Sequence, residues 1–449
     1  MKETGGHPAW PRNKAKTRGP AGKLAEARGK VGFKSAEAKA QGGFKSASVR
    51  ALGAGGEPRL VLKPGKEKSL QRRHPWVYSS AVAHIEGSIA GGATVAVHSA
   101  DGGFLAWAAY SPISAIQARA WSYQLDLRPD AEMIASRVRA AVKRRLHLRE
   151  RSSAVRLVFG EADQLPGLVV DRYRDQLVVQ FFSSGSEFWR ETIVDALVDA
   201  TGCSRVYERS DAAAREREGL PSREGPILGP VPVEPIEIIE DGVRFAVDIV
   251  SGHKTGFYID QRDSRARVAS LSKGRRVLNC FCYTGGFTLA ALANGAVSAL
   301  SIDSSEPALQ QARANQRLNG IGGDHSEWRN ANVFEALKSL GVEGRQFDLI
   351  VLDPPKFAPS AHHLDRAARA YKEINMKALK LLAPGGILLS FSCSGAVSVD
   401  LFQKIVAGAI IDAGVDIQLI ERLSAGVDHP MLMTHPEGEY LKGLLLERV

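Results

Sequence analysis

The chain is poor in cysteine, and its four thiols (Cys203, Cys280, Cys282 and Cys393) show neither zinc-ligand spacing nor a disulfide framework. A reducing, intracellular compartment is the simpler reading. No apolar run approaches the roughly 18 residues that a membrane-spanning helix needs. The first residues lack the apolar stretch of a secretory signal, and they are richer in Lys than Arg and poor in Ser, unlike a transit peptide. A soluble cytoplasmic protein with no membrane partner is expected. The Gly-x-Gly-x-x-Gly dinucleotide fingerprint is also missing, which disfavours NAD.

What is present is ordinary globular composition, 44% hydrophobic and 24% charged over 449 residues, enough for two or three domains with a sizeable core. The formal net charge of +10 is unevenly spread. Residues 1–58 carry 12 Lys/Arg against 4 acids, so this segment holds +8 of the total. It is rich in Gly, Ala and Lys, and Gly32-Phe33-Lys34-Ser35-Ala36 recurs as Gly43-Phe44-Lys45-Ser46-Ala47. Such a segment cannot bury enough surface to offset its ordering entropy, so a disordered basic extension is expected over 1–58. Phe33 and Phe44 among lysines could stack on bases, or the segment could be a solvated, solubilising tail.

Short strands are predicted around Leu60–Leu62, Ala93–Val97 and Phe104–Ala108, making a small β-rich module over 59–127. Within it Lys66, Lys68, Arg72, Arg73 and His74 precede Pro75-Trp76, a cation cluster beside an aromatic that suits RNA phosphates; the alternative is a core Trp76 among solvated charges. A basic amphipathic helix over 130–150, strand-like segments at Val155–Phe159, Gly167–Val170 and Gln176–Phe182, and a helix at 187–200 suggest a central α/β domain over 128–235. Pro221, Pro230, Pro232 and Pro235 read as a linker. Asp241-Gly242 between Ile236–Glu240 and Val243–Val250 is a hairpin signal. From about 270 strands and helices alternate, which predicts a parallel, doubly wound sheet within 236–449 whose ligands bind at the carboxyl ends of its strands.

Those ends carry the informative residues. After Val277-Leu278-Asn279 comes Cys280-Phe281-Cys282-Tyr283-Thr284-Gly285-Gly286, a strand-to-helix turn where paired glycines let the backbone approach a ligand. The next strand ends in Asp303, placed to accept ribose hydroxyls. Asn332 follows one strand later and offers an amide to an adenine edge. The fourth strand ends in Asp353-Pro354-Pro355-Lys356-Phe357, and Ile387–Ser392 runs into Cys393-Ser394-Gly395. A thiol opening a loop beside Asp353 is placed for nucleophilic chemistry, whereas Cys203, Cys280 and Cys282 read as structural.

The succession Asn279, Tyr283-Thr284-Gly285-Gly286, Asp303, Asn332 and Asp353-Pro354-Pro355 resembles class I S-adenosylmethionine-dependent methyltransferases, in a Rossmann-like fold. In that family the glycine turn holds the methionine portion, the acid holds the ribose and the third loop faces adenine, with Asp usual where Asn332 stands. Longer motifs narrow the resemblance. Gly252-His253-Lys254-Thr255-Gly256-Phe257-Tyr258-Ile259-Asp260-Gln261-Arg262-Asp263-Ser264-Arg265, Glu161–Gly167, Asp428-His429-Pro430, Pro436–Gly443 and Ser392–Gly395 are similar to RlmI-type enzymes, 23S rRNA (cytosine(1962)-C(5))-methyltransferases. The resemblance runs from about Arg59 to the C-terminus and implies an RNA-binding PUA domain, a central α/β domain and the methyltransferase domain. It also implies S-adenosylmethionine as cofactor, Gln261 and Arg262 beside it, and 23S rRNA or a pre-ribosomal particle as partner. A homodimer is suggested by the family, though nothing in the residues demands one.

The implied chemistry needs Cys393. Cytosine carbon 5 is a weak nucleophile until a thiolate adds at carbon 6. Asp353 would hold the ring's nitrogen edge, and a positive group such as Lys356 would favour the thiolate. Other RNA cytosine-C5 enzymes carry a second cysteine after the fourth strand, where this chain has Pro354-Pro355. The base for the carbon-5 proton is therefore open among Asp353, His429 and water. Two other readings stand: methylation of an exocyclic amine, which needs no thiol, and a non-catalytic RNA-binding assembly factor.

Overall fold

The computed structural model describes residues 57–449 apart from Asp211 and Pro359. The expectation of a disordered extension, with its repeated Phe33 and Phe44 motifs, thus falls outside the described residues except at Glu57 and Pro58. Among the described residues no helix is long and apolar enough to cross a membrane.

Three regions follow along the chain. Arg59–Leu62, Trp76–Tyr78, Val82–Glu86, Thr94–His98, Phe104–Tyr110 and Ile116–Ser122 form a six-stranded sheet around Leu60, Val95, Val97 and Ala118. A five-stranded sheet comes next, from Ala154–Phe159, Leu168–Tyr173, Gln176–Phe181, Arg205–Ser210 and Arg223–Leu228. Helices Ala131–Arg144 and Arg190–Thr201 bury Ile134, Val138, Ile193 and Leu197 with it. Asp130 caps the first helix by accepting from the Met133 amide.

One sequence expectation needs correcting here. The proline-marked linker contains a strand, Arg223–Leu228, which pairs antiparallel with Arg205–Ser210 through Pro226 opposite Tyr207. Proline discouraged that reading, yet this strand lies at the sheet edge, where a missing N–H costs no ladder bond. The hairpin Ile236–Glu240 and Val243–Val247 forms as expected, with Asp241 (φ 46°) and Gly242 (φ 84°) in the left-handed conformations of its two-residue turn. Its second strand stops at Val247.

The last region is a seven-stranded sheet. Its strands are β1 (Arg276–Cys280), β2 (Ser298–Asp303), β3 (Ser326–Asn330), β4 (Phe347–Leu352), β5 (Leu382–Ser392), β6 (Ile417–Ser424) and β7 (Lys442–Arg448). The order is β3-β2-β1-β4-β5-β7-β6, parallel except for β7, which runs antiparallel to β5 and β6. Alternate residues point to opposite faces, and both faces are apolar. Leu278, Ile302, Ile350, Leu352 and Leu388 meet helices Val333–Val342, Leu364–Leu381 and Val399–Ala413. Val277, Ala299, Val351, Leu389 and Phe391 meet helices Arg262–Leu271 and Gly286–Ala293. Because β1, β2, β4 and β5 are parallel, they deliver their carboxyl ends to one edge, and the strand order reverses there between β1 and β4.

Candidate active site

Backbone strain marks the first loop. Phe281 (φ 61°), Tyr283 (φ 48°) and Gly285 (φ 85°) all adopt left-handed conformations between β1 and the helix Gly286–Ala293. Strain of this kind persists only where surrounding contacts hold it. The Tyr283 amide donates to Asp303 Oδ2 at 2.9 Å, and Asn315 Nδ2 donates to the Thr284 carbonyl at 3.2 Å. A Cβ on Gly285 would lie 2.6 Å from the Trp328 ring, so the turn admits no side chain there. Behind it Asn279 Nδ2 donates to Thr288 Oγ1 (2.9 Å), and Thr288 pairs with Ser301 (2.7 Å), tying β1 and β2 to the helix start.

Asp303 ends β2 half-buried. Each of its oxygens accepts one backbone N–H, Oδ2 from Tyr283 and Oδ1 from Ser305 (both 2.9 Å). An ionised carboxylate has about four lone-pair sites, so acceptor capacity remains for two ribose hydroxyls. Asn332 is exposed, and its Oδ1 caps the helix Val333–Val342 by accepting from Phe334 (2.9 Å). The atom outside the cap is the Nδ2 donor. Asn332 can therefore donate to an adenine ring nitrogen, where an aspartate would accept from the amino group.

The segment Gly252–Arg265 supplies the other wall. Gln261 is buried beside Asp353 and helps to hold its carboxyl down, yet neither amide atom makes a hydrogen bond of ordinary geometry. A buried amide with unused donor and acceptor capacity is able to take a polar ligand. Arg262 does not join it. Its guanidinium is fully buried, donating to Asp428 Oδ2 (2.9 Å) and the Ala154 carbonyl (2.7 Å) and lying 3.7 Å from Glu240. It fastens the loop to the central sheet, while its Nε and Nη1 make no hydrogen bond.

At the fourth strand the Asp353 amide approaches the Cys280 carbonyl at 3.5 Å, which joins the ends of β4 and β1. Cys393 follows β5. Its neighbours Ser392 and Ser394 both bond the buried Tyr371 hydroxyl (3.0 and 3.1 Å), and Ser394 Oγ also accepts from the Ala358 amide (3.1 Å). Lys442 Nζ donates to the Ser394 carbonyl (2.8 Å) and the Tyr440 carbonyl (2.9 Å). The thiol between these anchors takes no part in them; Sγ lies 3.9 Å from the Pro354 carbonyl. Cys203, Cys280 and Cys282 are buried, whereas Cys393 is partly accessible.

The electrostatics separate two carboxylates. Burial, reinforced by Asp260, pushes the Asp353 carboxyl up to about 7, so it holds its proton near neutrality. Burial alone would raise Asp260 as well, but Lys254 and His429 outweigh it and hold that carboxyl well below the usual range. Lys254 Nζ lies 2.6 Å from Asp260 Oδ2, and the Tyr440 hydroxyl donates to the same oxygen at 2.6 Å. Divergent carboxyl environments of this sort define acid and base roles. Burial and the Asp353 charge raise the Cys393 thiol, opposed by Lys254 and, more weakly, by Lys356.

Sequence reasoning missed Lys254, Asp260, Tyr440 and Lys442 as site residues. Their motifs were visible, but their meeting was not, because Asp260 and Tyr440 are far apart in sequence. The expected RNA-contacting residues Lys66, Lys68, Arg72 and Arg73 are all exposed around the short helix Lys68–Gln71, with the Arg73 guanidinium 4.8 Å from the Tyr123 ring centre.

Fold and site together define a PUA-like domain joined to a class I S-adenosylmethionine-dependent methyltransferase. A family model described as a PUA-like domain matches residues 60–123, and one for S-adenosylmethionine-dependent methyltransferases matches residues 216–445. The chain is 49% identical over 389 residues to a ribosomal RNA large subunit methyltransferase I of Shewanella amazonensis, covering 86% of this chain and 98% of the relative. A protein of that name from Serratia proteamaculans is 46% identical over 387 residues, with the same coverage of both chains. The chain belongs to the ribosomal RNA large subunit methyltransferase I family. Among solved structures, a methyltransferase complexed with S-adenosylhomocysteine superposes with a TM-score of 0.76 at 20% identity, over 87% of this chain and 99% of that one.

S-adenosylmethionine is the cofactor of this family, and the residues present fit it: a glycine turn with no room for a side chain, a strand-end acid with acceptor capacity to spare and a buried amide with unused polar atoms.

Proposed function

We propose that this protein methylates carbon 5 of a cytosine in 23S ribosomal RNA, with C1962 as the position implied by its family, through a covalent bond from Cys393 to carbon 6. The observation that carries this reading is the pairing at one sheet edge of a partly accessible thiol with a carboxyl that keeps its proton near neutral pH. Domain limits of 59–127, 128–235 and 236–449 are proposed for the RNA-binding, central and catalytic parts.

The cofactor supplies an electrophilic methyl group on a sulfonium. Tyr283, Thr284, Gly285 and Gly286 would cradle its methionine portion, Asp303 its ribose and Asn332 its adenine, with Gln261 and Asp353 near the reacting end. Protonated Asp353 donates to nitrogen 3 of the cytosine and draws electron density from the ring. The Cys393 thiolate then bonds carbon 6, and carbon 5 gains enamine character and takes the methyl group. Loss of the carbon-5 proton and breaking of the carbon–sulfur bond restore the thiolate and the aromatic ring. Lys254 offsets part of the cost of forming the thiolate. Lys66, Lys68, Arg72 and Arg73 would contact RNA phosphates.

Amino-group methylation would leave Cys393 without a role, and an inactive binder would leave the raised Asp353 without one. Mass mapping of 23S rRNA from cells with and without the gene tests the reading. A single 5-methylcytosine present only with the gene is expected; an unchanged cytosine methylation pattern would overturn it.

A further inference from the structure

A cavity lies between the six-stranded sheet, the central sheet and the loop before β7. Its volume is about 220 Å³, and Trp76, Phe159, Glu161, His435, Glu437 and Tyr440 line it. Sites for drug-sized ligands start at roughly 300 Å³, so this space suits a single heterocycle. Its walls are aromatic. The Trp76 and His435 rings lie 4.4 Å apart, and Phe159 and Tyr440 lie 6.1 Å apart.

Its polar groups are unevenly satisfied. Trp76 Nε1 donates to Glu161 Oε1 at 2.8 Å, which fixes the indole and leaves the carboxylate further acceptor capacity. His435 is 5% exposed, and its Nε2 has no hydrogen-bond partner. Glu437 Oε2 is 3.1 Å from His74 Nε2. His74, His435 and Glu437 are close enough to suggest a metal. However, His74 Nδ1 accepts from the Trp76 amide (3.2 Å), so a neutral His74 ring carries its proton on Nε2 and has no lone pair there for an ion. The cluster is better matched to an organic ligand that donates N–H groups.

Location identifies that ligand. Tyr440 is shared: its ring borders the cavity, and its hydroxyl bonds Asp260 in the catalytic site. Trp76 follows directly on the exposed Lys66, Lys68, Arg72 and Arg73. A polyanion held on those cations lies next to the strand that carries Trp76, and Tyr440 joins the cavity it lines to Asp260. We infer that the cavity receives one unstacked nucleobase flanking the methylated cytosine, stacked among Trp76, Phe159 and Tyr440 and held by an N–H-bearing edge, guanine offering two adjacent donors, against Glu161, Glu437 and His435. Recognition of splayed bases on aromatic side chains is the usual route to sequence selection in single-stranded RNA. This inference rests on the RNA-methylating reading above.

The test uses the full chain saturated with S-adenosylhomocysteine and a transcript of large-subunit rRNA containing the methylated position. Trp76→Ala and His435→Ala should each raise the RNA Kd about tenfold, as loss of one stacked or hydrogen-bonded base does. Trp76→Phe should bind nearly as wild type, and S-adenosylhomocysteine affinity, which reports the fold of each variant, should not change. Substituting the bases beside the target one at a time should reveal one position that costs wild type about tenfold and Trp76→Ala nothing. Wild-type RNA affinity in both alanine variants, or a base preference that survives in Trp76→Ala, would overturn the inference. Tight binding with no methyl transfer once S-adenosylmethionine replaces S-adenosylhomocysteine would instead sink the assigned function and leave the pocket to be judged by Kd alone. No RNA binding by wild type would sink both.

Discussion

If protonated Asp353 and the Cys393 thiolate are both required, the pH profile of kcat/KM for RNA has an unusual shape. The Asp353 carboxyl titrates near 7, and burial pushes the Cys393 thiol above its ordinary 9.0. The productive pair thus carries its protons in reverse order, and at pH 8 only about a tenth of Asp353 is protonated while the raised thiol is mostly unionised, so the pair is a small minority of the enzyme. Below pH 7 the rate should rise about tenfold per unit, because thiolate accumulates while Asp353 stays protonated. Above pH 7 the two titrations cancel and a plateau follows. From pH 6.5 to 8.5 wild type should gain only about fourfold. Asp353→Asn keeps a donor but cannot titrate. Its lower rate should climb about a hundredfold over the same interval, since thiolate alone then sets the slope. Initial rates of tritiated methyl transfer at saturating S-adenosylmethionine measure both profiles. A wild-type rate that keeps rising from 7 to 9, parallel to the variant, would refute the acid role of Asp353.

Cys393→Ala should lower kcat by about a thousandfold or more while leaving S-adenosylhomocysteine binding, read by calorimetry, within about threefold. Asp303→Ala removes the partner of the Tyr283 amide and the carboxylate proposed to accept two ribose hydroxyls, so cofactor Kd should rise about ten- to a hundredfold. Gly285→Ala should weaken cofactor binding further, because the added carbon would strike Trp328 at 2.6 Å from a left-handed backbone. Arg262→Leu removes the guanidinium paired with buried Asp428, leaving that carboxylate to the Arg156 amide and His429, and should cost about 3 kcal/mol in urea unfolding.

Much of this architecture was legible because the relevant signals are local. The Asp241-Gly242 turn, the paired glycines at 285–286 and the acids closing β2 and β4 each sit within a few residues of the element they end. Proline misled at 223–228, since only the sheet topology says that the strand lies at an edge. The different surroundings of Gln261 and Arg262 were not legible: Gln261 lies beside Asp353, and one step along the chain turns the next side chain into the Asp428 clamp. The Lys254–Asp260–Tyr440 group was illegible because it depends on β7 returning beside β5, a long-range contact that no spacing encodes. Lys356 was a reasonable source of positive field by proximity in sequence, yet Lys254 outweighs it at the thiol.

The most direct trial of a covalent mechanism is an RNA bearing 5-fluorocytosine at the target position. Fluorine at carbon 5 cannot leave as a proton, so the bond from Cys393 to carbon 6 would persist after methyl transfer. Denaturing electrophoresis and peptide mass mapping should then find the RNA attached to Cys393 in wild type and no attached species in Cys393→Ala. Methyl transfer to ordinary RNA with no trapped complex, or trapping on another residue, would contradict the account.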